Sequence, residues 1–269
     1  MADSSTDALM SLFEADKAKI KAQQFERHGR LNDAEAHYRR SLEYTKKALG
    51  DSDPEVAKAM DRLATVLCAK SQYKEAEQLL VDALAMMEKA YYADHYNNAP
   101  IAEHLADCLS AQGRYQDAEP LMKRAMDIYS KTLVGDHHEI FQATQKLAEI
   151  QCHLSKYPDA EALLKKAVKA TDTPLGPVEE ILYDLAVVYQ LQGKDADAET
   201  TYKQALSIFQ QRDKYHRLAD CLDSYAGFLE KKDRKSEAEP LRKQAAMLRQ
   251  EFLVNPAEKN IYVPTLLRA

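Results

Sequence analysis

The stretch Leu105–Ala125, LADCLSAQGRYQDAEPLMKRA, decides the fold. It reads as a helix ending at Gly113, a tight turn, and a second helix starting near Tyr115. The pattern recurs along nearly the whole chain. Internal repeats dominate any other reading of a sequence, because each is one unit that cannot bury its apolar face alone. The alanine of the second-helix "x-x-A-E-x" recurs as Ala34, Ala76, Ala118, Ala160, Ala198 and Ala238, with spacings of 42, 42, 42, 38 and 40. Twelve residues before each stands another alanine: Ala22, Ala64, Ala106, Ala148, Ala186 and Ala226. Seven after it comes a small residue again: Ser41, Ala83, Ala125, Ala167, Ala205 and Ala245.

Close packing explains the triplet. Antiparallel helices approach to about 8–10 Å where small side chains mark the crossing. Leu63, Leu105, Leu147 and Leu185 then fill the flanking space. Five residues before each anchor lies the turn residue: Gly29, Ser71, Gly113, Ser155, Gly193 and Asp233. A helix ending there places this residue in the left-handed region, where glycine carries no Cβ penalty. Serine and aspartate are the weaker turns.

The repeat resembles the tetratricopeptide repeat. The first helices carry Leu63-Ala64 with Leu67, Leu105-Ala106 with Leu109, and Leu185-Ala186 with Tyr189; the second carry Ala34-Tyr38, Ala160-Leu164-Ala167 and Ala198-Tyr202-Ala205. No tryptophan is present, and alanine replaces the family's glycine. The common repeat is about 34 residues, so each 42-residue unit here is longer by roughly two helical turns. With connectors such as LGDSDPEVA (49–57) and LVGDHHEI (133–140), the chain is similar to the long-repeat subgroup typified by kinesin light chain. The resemblance covers roughly residues 15–250. It implies an all-α, right-handed solenoid of six antiparallel hairpins, about 15–50, 51–92, 93–134, 135–174, 175–213 and 214–253. An N-terminal segment, 1–14, leads into the first helix, expected over about 7–28, and a tail, 254–269, follows the last.

Composition fits this reading. Only seven glycines occur in 269 residues, and six fall in expected turns. A net charge of -6 argues against a sequence-independent nucleic-acid binder, which needs a basic stripe. No apolar run approaches a membrane span. The acidic N-terminus does not resemble a signal peptide, so a cytoplasmic location is expected. Cys68, Cys108, Cys152 and Cys221 are far apart in sequence and read as small buried hydrophobes of a reducing compartment. His137-His138 falls in a connector and first helical turn rather than a metal site.

Local signals refine the picture. Asp53-Pro54-Glu55 is an N-cap, a proline at N1 and a first-turn acid. Pro100 delays the third hairpin, with Asn98 as the expected cap. Tyr91, Tyr92 and Tyr96 are expected to pack against adjacent hairpins rather than form an exposed aromatic contact. Gly227 sits mid-helix, where it admits a close neighbour such as the tail. That tail, with Ile261, Tyr262, Val263, Leu266 and Leu267, needs covering. Docking on the last hairpin is the first expectation and insertion into a groove the second.

No phosphate loop, Gly-x-Ser-x-Gly, H-E-x-x-H or distinguished carboxylate pair appears, so no catalysis, cofactor or metal is expected. The resemblance places first helices on a concave face. The residues expected to line it are Asp61, Arg62 and Thr65; Glu103, His104 and Asp107; Gln145, Lys146 and Glu149; Tyr183, Asp184 and Gln190; and Asp223. Acids outnumber bases on this face, which points to a neutral-to-basic partner segment held at roughly −8 kcal/mol, micromolar affinity. The family's carboxylate clamp of Lys and Asn is absent, and the Leu-Asn-Asn-Leu-Ala of kinesin light chain is not matched at Asp61-Arg62, Glu103-His104 or Gln145-Lys146. A scaffold or adapter is therefore the first functional expectation. The alternatives are an assembly protein that oligomerises through its ends or tail, and a peptide-sensing regulatory domain.

Overall fold

The computed structural model describes residues 2–133, 138–170, 177–212 and 215–254. These residues form twelve α-helices and one short 3-10 turn, with no strand among them. The chain divides into two compact units, Met1–Val134 and Gly135–Ala269.

In the first unit three hairpins stack. α1 (Ala2–Arg27) pairs with α2 (Leu31–Leu49), α3 (Pro54–Ala69) with α4 (Tyr73–Ala90), and α5 (Ala99–Ala111) with α6 (Tyr115–Thr132). Hairpins join through α2 on α3 and α4 on α5, and the first helices α3 and α5 also touch. The second unit repeats this plan. α7 (His138–His153) pairs with α8 (Tyr157–Ala170), α9 (Val178–Leu191) with α10 (Asp195–Gln211), and α11 (Tyr215–Glu230) with α12 (Lys235–Val254). Here α8 packs on α9 and α10 on α11, with α7–α9 and α9–α11 contacts between first helices.

The small residues stand where close approach demands them. All six first-helix alanines, from Ala22 to Ala226, and all six anchors, from Ala34 to Ala238, are buried. Ser41 holds the third position of the first hairpin and donates to the Ala15 carbonyl at 2.9 Å, so its hydroxyl is satisfied within the crossing. Ala167 is the exception to full burial at this offset.

Every turn residue of the register has positive φ: Gly29, Gly113 and Gly193 at 69–75°, and Ser71, Ser155 and Asp233 at 58–60°. The closure is the same each time. At Ser71 the Gln72 amide donates to the Leu67 carbonyl at 2.8 Å and the Ser71 amide to Cys68 at 2.9 Å. This pattern satisfies carbonyls that the last turn would leave orphaned.

Local expectations fare variously. Asp53 caps α3, accepting from the Glu55 amide at 2.8 Å with Pro54 at the helix start. α5 does start after Asn98, but the Asn98 side chain does not cap it. Its amide instead donates to the Tyr92 and Ala93 carbonyls, fixing the connector. α1 starts at Ala2, before the expected position, since no glycine or proline interrupts residues 2–27. Tyr96 lies edge-on to Tyr129 and Tyr91 stacks on His95, whereas Tyr92 is 66% exposed. The 254–269 tail lies beyond the described residues except for Val254, as does His137.

Candidate functional site

The first helices are where the repeat presents side chains in series, and α3 lies against α5, α7 against α9 and α9 against α11. A regular back-reaching contact joins them. His104 Nδ1 lies 2.7 Å from Asp61, Gln145 donates to Asp184 at 2.7 Å, and the Tyr183 and Ser224 hydroxyls are 2.8 Å apart. In each pair the earlier residue stands three before its first-helix alanine and the later one two before. This spacing decides which expected groove residues face outward.

In the first unit Arg62, Thr65, His104 and Asp107 are half-buried on this face. Thr65 donates to the Asp61 carbonyl at 3.0 Å. Burial works against a charge on His104, but the hydrogen bond to Asp61 and the nearby Asp107 and Glu103 outweigh it and raise its pKa above the ordinary histidine value. Glu103 is placed differently. It is buried, and it accepts from the Tyr129 hydroxyl at 2.9 Å inside the third hairpin.

In the second unit Lys146, Glu149, Gln190 and Asp223 are half-buried, whereas Gln145, Tyr183 and Asp184 are buried. Gln190 accepts from the Tyr202 hydroxyl at 2.9 Å. Burial pushes the Asp184 carboxyl up to about 7, against the opposing pull of Arg217 and of the Gln145 hydrogen bond. Much of the acid excess is spent inside the fold. Arg242 reaches Glu230 at 2.9 Å and Asp223 at 3.3 Å, Arg249 also pairs with Asp223, and Arg217 holds Glu180 at 2.9 Å. Arg242 and Arg249 come from α12 and Arg217 from a buried position of α11, so a tally of the outward first-helix positions missed them.

The glutamate after each anchor alanine was also missed. Glu77 accepts from Gln112 at 3.1 Å and Arg114 at 2.8 Å; Glu161 from Gln192 at 2.9 Å and Lys194 at 2.7 Å; Glu199 from Arg234 at 2.6 Å; and Glu35 pairs with Lys70. Each donor flanks the turn residue of the next hairpin. The recurrence of Glu after the anchor, with Lys, Arg or Gln beside the turn, was the available signal. Hydrogen bonds from Lys165 and then Lys194 bring the Glu161 carboxyl down to about 2, and those from Arg234 and Lys203 do the same for Glu199.

Stacking also brings together what the sequence separates. Cys68 and Cys108 come close enough across the second and third hairpins for each thiol to influence the ionisation of the other. All four cysteines are free. Among the described residues no group of histidine, cysteine or acidic side chains is arranged to hold a metal ion, and no helix is long and apolar enough to cross a membrane.

Models of the tetratricopeptide repeat match residues 19–89 and 98–172, and a second such model matches 147–213. The chain belongs to the tetratricopeptide-repeat family. Among solved structures, this repeat protein is similar to the nearly identical TPR-like repeats of a kinesin light chain-like protein from Podospora anserina. The two share 22% identity over 74% of this chain and 96% of that one, with a TM-score of 0.68. BtubC (BKLC) from P. vanneervenii matches at 16% identity over 95% of both chains, with a TM-score of 0.63. A Rap protein complexed with competence and sporulation factor matches at 13% identity over 91% of this chain and 77% of that one, with a TM-score of 0.57. No curated protein sequence matches. The likenesses confirm an all-α solenoid fold.

Proposed function

We propose that this tetratricopeptide-repeat protein is a non-catalytic adapter that binds a segment of a partner protein on its first-helix face. The observation that carries the reading is the stacking of first helices within each unit, which sets half-buried polar side chains in file. Half-buried groups with fixed hydrogen-bond partners can recognise a backbone and its side chains while losing little side-chain entropy on binding. The complex of the similar Rap protein with competence and sporulation factor supports a peptide-sized ligand for such a scaffold. The residues proposed to meet it are Arg62, His104 and Asp107 in the first unit and Lys146, Glu149 and Gln190 in the second. Glu103, Gln145, Tyr183 and Asp184 hold the helices in place beneath them.

The preferred segment is neutral to basic. Asp107 and Glu149 are half-buried acids on this face, in contrast to the buried Glu103 and Asp184. The test is affinity purification from the native source followed by calorimetry with the segment recovered. Asp107→Lys with Glu149→Lys is expected to weaken binding at least about tenfold, 1.4 kcal/mol, with the helical content unchanged. Unchanged affinity would remove the first-helix face from the reading.

A further inference from the structure

The junction between the second and third hairpins sets two cysteines against each other. His104 of α5 lies 2.7 Å from Asp61 of α3, which marks the faces that these two first helices turn to one another. Cys68 stands seven residues past Asp61, and Cys108 four past His104. Seven residues make about two helical turns and four about one, so both cysteines stay on the opposed faces. The Cys108 side chain is directed at the end of the second hairpin's first helix. Its thiol donates to the Tyr73 carbonyl at 3.7 Å, and Tyr73 opens α4 five residues after Cys68.

Their surroundings suit a reaction. Cys68 is half-buried and Cys108 buried, so the pair opens to water on the Cys68 side. The thiolate is the reactive form of cysteine. The Cys68 thiol lowers the Cys108 pKa against burial and the Glu77 charge, and the Gln112 amide and Arg114 act in the same direction as Cys68. Gln112 is held in place for this: its Nε2 lies 3.7 Å from the Cys108 sulfur and also donates to Glu77 at 3.1 Å. The Cys68 pKa is raised, so Cys108 ionises first. The other cysteines are placed differently. Burial raises the pKa of both, that of Cys152 to about 12. Opposite Cys152 the register puts Val188 where Cys108 stands opposite Cys68.

We propose that Cys68 and Cys108 are a peroxide-responsive pair that closes to a reversible disulfide joining α3 to α5. In the first step a thiolate of the pair attacks one oxygen of hydrogen peroxide. The O–O bond breaks, a sulfenic acid forms, and the released hydroxide takes up the thiol's former proton as water. The second sulfur then attacks the sulfenic sulfur. The S–S bond forms, the S–O bond breaks, and the hydroxyl leaves with the second thiol's proton as another water. The two sulfurs together lose two electrons and the peroxide gains them. The bond holds α3 and α5 at one separation, and with it the spacing of Arg62 on one helix from His104 and Asp107 on the other.

Treatment of the full, reduced chain with hydrogen peroxide, with no partner present, tests this. The thiol count, titrated after unfolding, is expected to fall from four to two, and the intact mass to fall by two hydrogens. Trypsin should then release LATVLCAK (63–70) disulfide-linked to the peptide 90–114. Dithiothreitol should restore all four thiols. Cys68→Ala, which alters the half-buried member, is expected to keep its circular dichroism spectrum and to form no internal disulfide. Retention of four thiols overturns the proposal, as do a gain of oxygen without loss of a second thiol, a disulfide between chains, or a linked peptide pair other than this one. A Cys68→Ala chain that still loses two thiols to an internal bond overturns it too. None of these measurements involves the partner segment, so failure here is distinguishable from failure of the adapter reading.

Discussion

Replacing Ser71 and Ser155 by glycine is expected to stabilise the protein, and the size of the gain follows from the turn geometry. Both serines hold φ near 60°, where an L-residue with a Cβ is strained by roughly 1–2 kcal/mol. Glycine removes that strain but adds backbone freedom to the unfolded chain, which costs about 0.4–1 kcal/mol. The net gain is therefore roughly 0–1.6 kcal/mol per site. Little else is lost, since the Ser71 hydroxyl is engaged only by an exposed 3.4 Å contact from Tyr73. The turn's backbone bonds, Gln72 to Leu67 at 2.8 Å and Ser71 to Cys68 at 2.9 Å, need no side chain. For a chain of this size each kcal/mol moves the melting temperature by roughly 2–4 °C. Ser71 lies in the first unit and Ser155 in the second, so scanning calorimetry of each single variant also shows whether the units melt together. If they melt independently, each substitution raises only its own transition. In the double variant the gains should add, because the sites share no partner. The reciprocal Gly113→Ser should lose a similar amount. A fall in melting temperature on both serine replacements would refute the assignment of these residues as left-handed helix ends.

Three further outcomes are expected. The Asp184 carboxyl is raised by burial to about 7, so it is protonated in the fold while already ionised in the unfolded chain. Its stabilising contribution is present below about pH 4 and is lost as pH rises toward 7. Asp184→Asn should therefore be more stable than the parent at pH 8, by at most about 4 kcal/mol, and should lose that advantage near pH 4 in urea titrations. Glu161 and Glu199 have the opposite sign. Held near 2 by their Lys and Arg partners, they contribute stability above about pH 4.5 that disappears as pH falls toward 2. Glu161→Gln/Glu199→Gln should flatten the acid limb of the stability curve, costing about 0.5–1 kcal/mol per site at pH 7; an unchanged acid limb would show that the ladder between hairpins is idle. Gly227→Ala should stabilise by about 1 kcal/mol, since a Cβ there meets only the Arg242 guanidinium at 3.8 Å; destabilisation on thermal melting would mean that this close approach is needed.

The periodicity of small residues was enough to set the helix pairs, the crossings and all six turn residues. Those properties arise within one hairpin, where sequence offset and spatial offset are the same thing. Even departures from glycine at Ser71, Ser155 and Asp233 left the backbone conformation legible, because helix-end hydrogen bonding imposes it whatever the side chain. Asp53 was read correctly as a cap for the same local reason. Asn98 was not, because its amide finds two carbonyls of the preceding connector that no capping rule anticipates.

The tertiary structure decided which side chains are available. Glu103 and Asp107 lie one helical turn apart on the same helix, yet Glu103 turns inward to Tyr129 and Asp107 stays half-buried on the outer face. Asp223 and Glu230 look like part of an acidic face until Arg242 and Arg249 arrive from α12. The Cys68–Cys108 contact and the glutamate ladder likewise join residues about one repeat apart. A repeat fixes its own backbone by short-range sterics and hydrogen bonds. The charge and exposure of a side chain depend on whichever neighbour the packing brings against it, and in these hydrogen-bonded cases that neighbour lies from 12 to 37 residues away in the chain.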